Sequence, residues 1–88
     1  MAKDIQLKKS TRTQVWGEYN PSKRYEEIIN RLEVWFMGNL IGYIEGANKS
    51  YSYYAADAKY FYGSSYCPKR KWAIENLIRD VLNIQITL

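Results

Sequence analysis

Apolar positions change period along this chain, and the changes mark its elements. Tyr25, Ile28, Ile29 and Leu32 fall at i, i+3, i+4 and i+7, the spacing of one helix face. Asn20-Pro21 precedes them as a favoured cap and a favoured first helical residue. Glu26 and Glu27 stand where the helix dipole favours negative charge. The pattern predicts an N-terminal helix over 21–31. A second run, Ala73, Ile74, Leu77, Val81 and Leu82, follows Pro68 and predicts a C-terminal helix over 69–83.

Between these runs the chain is apolar on every side from Val34 to Ile44. A helix there would carry Gly38, Gly42 and Gly46 at about 1 kcal/mol each and would have nowhere to bury all its faces. Gly38-Asn39 is instead a two-residue turn signal between β-rich runs. The expected hairpin puts Leu32, Val34 and Phe36 on one face of its first strand, and Leu40, Gly42 and Ile44 on one face of its second. The helical alternative has glycines spaced so that two helices could approach closely.

Gly46 to Lys49 is a turn cluster, and the alternation from Lys49 to Ala55 predicts a third strand. Thr13–Gly17 carries a weaker strand signal, as does the alternating stretch 83–88. Residues 1–11 are polar and basic without period, and predict a flexible basic arm ahead of one domain over 12–88. The resulting fold class is α+β: a small single domain with an N-terminal helix, a three-stranded antiparallel meander and a C-terminal helix. The 88 residues suffice for one modest core.

Over Leu32 to Asn83, the order of a three-stranded sheet followed by a helix resembles small DNA-reading domains. Such domains occur at the N-terminus of some phage integrases and in APETALA-type plant factors. The resemblance is one of element order. It implies a fold analogy, and fold alone does not establish function.

Composition adds a leaning towards binding. The chain has nine tyrosines and no histidine. Tyr51, Tyr53, Tyr54, Tyr60, Tyr62 and Tyr66 lie in one stretch that runs into Lys69-Arg70-Lys71-Trp72. Tyrosine joins an apolar face to a polar tip, which suits interfaces. Aromatics beside cations form a surface on which bases stack and phosphates are held. The formal net charge is +4, and residues 1–24 account for all of it, with six basic and two acidic groups. Such a distribution fits an anionic partner.

Catalytic chemistry finds little support, and the expectation is a protein that is not an enzyme. Glu26-Glu27 are neighbours that point to different sides of a helix, not a converging pair. Cys67 has no histidine base. With one cysteine and no histidine, a zinc site of the usual type cannot be assembled, and no Gly-rich phosphate loop is present. No metal and no cofactor is expected. The single thiol fits a reducing, cytoplasmic setting, MAKDIQLKKS lacks an apolar leader region, and the longest apolar run is too short to span a bilayer. No membrane role is expected.

The candidate binding residues are therefore Lys8 and Lys9 in the arm and Arg12 next to it, Tyr51, Tyr53 and Tyr54 in the third strand, and Lys69, Arg70, Lys71 and Trp72 at the start of the last helix. Two readings follow. One is a small non-catalytic accessory protein that binds nucleic acid, with cations on phosphates and aromatics on bases. The other is an inhibitor or adaptor of the phage type that binds a host protein through a tyrosine-rich surface. Self-association as a homo-oligomer is compatible with either.

Overall fold

A computed structural model describes residues 4–57 and 67–88. Among them run strand β1 (Ile5–Trp16), β2 (Tyr25–Phe36), β3 (Asn39–Ala47), β4 (Ser50–Ala55) and helix α1 (Arg70–Leu82). The strands form one antiparallel sheet in the order β1-β2-β3-β4. Tyr60, Tyr62 and Tyr66 of the tyrosine block, and the expected loop at Gly63-Ser64-Ser65, lie outside the described residues.

The expected fold is corrected at its N-terminal end. Among the described residues there are four strands, not three, and no N-terminal helix. Asn20-Pro21 does start a helical turn, but it is a single 3-10 turn, Pro21–Lys23. Tyr25 onward is extended, and every residue of β2 pairs with β1, from Trp16↔Tyr25 to Ile5↔Phe36. The apolar residues at helical spacing are aromatic or β-branched except for Leu32, which suits a pleated surface equally well. Residues 5–11, expected as part of a flexible arm, form the first half of β1, with Ile5 buried in the core. The weak strand signal at Thr13–Gly17 forms as the end of β1, whereas its first half was missed because β1 is an edge strand with polar residues on both faces, a common protection against edge-to-edge pairing.

The hairpin across Val34 to Ile44 forms as β2 and β3. Its turn is centred one residue earlier than expected, at Met37 (φ 51°) and Gly38 (φ 82°). Two positive φ values match the right-handed twist of the flanking strands. A bulge follows, because Val34 pairs with Gly42 but Trp35 pairs with Leu40. The extra residue is Ile41, which is buried. Gly42 and Ile44 therefore share the core face as expected, whereas Leu40 stands opposite Trp35. No strand forms over 83–88; Ile86 and Leu88 pack against the edge of the core instead.

The helix lies on one face of the sheet over β3 and β4. Ala73, Ile74, Leu77 and Ile78 meet Ile5, Val34, Ile41, Ile44 and Tyr53. Val81, expected on the buried side, is exposed. Tyr53 satisfies its hydroxyl by donating to Asp80 Oδ2 at 2.6 Å. Asn83 closes the helix in the left-handed conformation (φ 57°), its N–H donating to the Arg79 carbonyl.

Gly42 sets how closely the helix approaches. A Cβ at this position would collide with the Tyr54 carbonyl oxygen and lie 2.7 Å from Leu77 Cδ1. Gly42→Ala should therefore destabilise the fold by about 1–3 kcal/mol through overpacking, read as a lower urea midpoint.

Candidate functional site

Strand alternation divides the side chains between two unlike surfaces. Among the described residues, the face away from the helix has no second layer and is covered by its own charged and aromatic groups. Arg12 Nε and Nη2 donate to the two Glu45 oxygens at 2.7 and 3.0 Å. Arg31 Nε approaches Glu45 Oε2 at 3.3 Å. The Arg31 guanidinium lies 3.5 Å from the centre of the Tyr43 ring. Lys8 Nζ stands 4.4 Å from the Trp35 ring centre, and the Trp35 indole donates to Glu33. Glu45 is 8% exposed, and these side chains close over it. The Arg12 guanidinium is held above its ordinary pKa, chiefly by the hydrogen bond to Glu45. The Tyr54 phenol is raised as well, first by burial and then by the Glu45 carboxylate.

The other surface, beside the helix, carries a cleft. β3 stops pairing with β2 at Leu32↔Ile44 but stays paired with β4 as far as Ala47↔Ser50. β2 and β1 meanwhile run on together for seven more pairs, Ser10↔Arg31 to Trp16↔Tyr25. The gap where the strands part is a cavity of about 550 Å³. Leu32 and Ile44 are among the residues at its floor, Tyr51 borders it, and Asn30, Gly46 and Ala47 line its sides. Lys9 reaches it from β1 and Arg70 from the first turn of the helix. Arg31 also contributes, but its guanidinium is engaged with Glu45 and Tyr43. Among the described residues, no carboxylate lines the cleft. Among the described residues, neither Lys9 nor Arg70 is in an ion pair.

The candidate residues thus separate into distinct places. Lys9, Tyr51 and Arg70 meet at the cleft. Lys8, Arg12 and Tyr54 belong to the opposite face, where Arg12 is neutralised by Glu45. Tyr53 is buried and presents no surface. Lys69, Lys71 and Trp72 are exposed on the first helical turn, with Lys69 Nζ 5.2 Å from the Trp72 ring centre. Cys67 is buried, and its backbone N–H and carbonyl both pair with Tyr51. Among the described residues no cluster of His, Cys, Asp or Glu could hold a metal, and no helix is long and apolar enough to cross a membrane.

Sequence reasoning missed two groups. Asn30 enters the cleft only because residues 25–31 are strand. Trp16, Tyr19, Tyr25 and Ile28 are exposed near the far end of the β1–β2 ribbon; Trp16 and Tyr25 stack on one face with ring centres 6.5 Å apart, and Ile28 lies on the other face. Reading Tyr25 to Arg31 as extended was the one signal that could have found both.

Comparison with protein-family models, with curated proteins and with solved structures finds no match to this chain.

Two outcomes test the uncovered face. Glu45→Gln should lower stability by about 2 kcal/mol in urea unfolding, since two arginines then lose a largely buried counter-charge; the exposure of Arg12 keeps the loss below that of a fully buried pair. The folded state also holds the Tyr54 proton more tightly than the unfolded chain. That contribution is present below about pH 10 and is lost as pH rises through the raised value. Tyr54→Phe should make the alkaline fall in stability shallower, measured as melting temperature against pH.

Proposed function

We propose that this protein is a non-catalytic nucleic-acid-binding protein that holds a phosphate backbone at the cleft between β2, β3 and the start of α1. The observation that carries the reading is the cation set of the cleft: Lys9 and Arg70, from elements far apart in sequence, converge on a cavity without a carboxylate. Lys69 and Lys71 extend the positive surface along the first helical turn, where the backbone dipole adds to their charge. No acidic residue lies in that turn to compensate. The N-terminal charge excess contributes through Lys9, not through a free arm, while on the other surface Lys8 lies over Trp35 and Arg12 pairs with Glu45.

A host-protein partner is the second reading. It is favoured by the exposed Trp16, Tyr19, Tyr25 and Ile28 near the ribbon end, residue types that often anchor protein interfaces. Salt separates the two readings. Phosphate binding weakens steeply with ionic strength, whereas an aromatic protein contact responds far less.

The test is a gel-shift series over several salt concentrations with the wild-type chain and with Lys69→Glu/Arg70→Glu/Lys71→Glu. All three residues are exposed, so the variant should keep its helical and sheet circular-dichroism signature. Binding should be lost, and single reversals should each flatten the logarithmic salt dependence by about one unit per phosphate contact. A folded triple variant with wild-type affinity would overturn the nucleic-acid reading and turn attention to the ribbon end.

A further inference from the structure

We infer, building on the nucleic-acid reading, that the cleft accepts a nucleotide of an unpaired strand, with its base against Tyr51 and the Leu32–Ile44 floor and its phosphate between Lys9 and Arg70. Phosphate binding alone would need only the cations. The cleft has in addition an apolar floor and an aromatic border, which match a base and have no use for a phosphate. Bases in a duplex are stacked on both faces and offer only their edges in the grooves, where a convex helix or ribbon must enter to read them. Here the aromatic and apolar groups are recessed, so the base has to come to the protein. A cavity of about 550 Å³ is far too small for a duplex and large enough for one nucleotide.

Asn30 gives the site a polar side for the edge of that base. It lies on the same face of β2 as Leu32, and its amide has no hydrogen-bond partner among the described residues. One amide group supplies both a donor and an acceptor. Tyr51 is held in place by its backbone pairing with Cys67, at 3.0 Å in each direction. That pairing fixes the backbone from which the Tyr51 side chain borders the cleft.

The experiment is fluorescence anisotropy at one fixed salt concentration. The probes are a labelled 12-nucleotide single strand of mixed sequence, the same strand annealed to its complement, and a free nucleoside monophosphate as competitor. The single strand should bind at least about ten-fold more tightly than the duplex. Tyr51→Leu should lose about ten-fold in single-strand affinity while duplex affinity stays unchanged, and Tyr51→Phe should retain the wild-type value. Tyr51 also touches the core, so Asn30→Trp, at an exposed position that lines the cleft on the Leu32 face of β2, provides a second variant. It should obstruct the cavity and reproduce the loss in a folded protein. Equal affinity for strand and duplex, unaltered in both variants, overturns this inference and leaves the phosphate reading intact. Failure of both probes to bind overturns the two together. Competition by the mononucleotide at concentrations equal to the strand overturns the strand as the ligand and assigns the site to a free nucleotide.

Discussion

The seating of Leu77 on Gly42 is the constraint from which the rest of the arrangement follows. A single helix must cover the apolar face of a four-stranded sheet, and it can do so only by close approach. The missing Cβ at Gly42 lets the two Leu77 methyls settle against the β3 backbone. That contact centres the helix over β3 and β4, brings Ile74 and Ile78 onto the same layer as Val34 and Ile44, and lets Asp80 meet the Tyr53 hydroxyl. It also fixes where the helix begins. Arg70 reaches the parting of β2 and β3 because Leu77, two turns later, is held in place.

The opposite face solves a different problem. With no second layer among the described residues, an antiparallel sheet normally presents polar groups to water. Here those groups are organised among themselves. Arg31 stacks on Tyr43, and Arg12 and Arg31 converge on one carboxylate. A carboxylate this far from solvent would be costly alone, and the two guanidinium groups offset that cost. The arrangement changes the meaning of the N-terminal charge excess. Lys8 and Arg12 look in sequence like part of a basic arm, yet one stacks on Trp35 and the other belongs to the Glu45 network. Lys9, between them, points the other way because successive residues of a strand alternate faces.

The C-terminal helix and the β2–β3 hairpin were legible in the sequence because each depends on local signals: a proline start with a helical apolar stripe, and a turn between β-branched runs. Tyr25 to Arg31 was misread because its apolar positions fit a helical stripe, and extended pairing with β1 over the full strand outweighs that local preference. β1 itself has almost no apolar signal to read. The site was legible in part. Lys9, Tyr51 and Arg70 stood out by type, but nothing in their spacing shows that they meet. Their convergence depends on where β3 parts from β2, which is a property of unequal strand lengths and of the helix position.

Those unequal lengths have a mechanical consequence. Beyond Leu32 the β1–β2 ribbon continues without support from β3 for seven residue pairs, about 23 Å at roughly 3.3 Å per residue, in a molecule whose longest dimension is 47 Å. It is a cantilever whose root is one wall of the cleft. A tilt of about 10° at the root carries the far end through about 4 Å over that length. The reverse also holds: force applied to Trp16 or Tyr25 acts on the cleft wall with the whole arm as its lever. The span of the ribbon thus converts a displacement at one end into a change of aperture at the other.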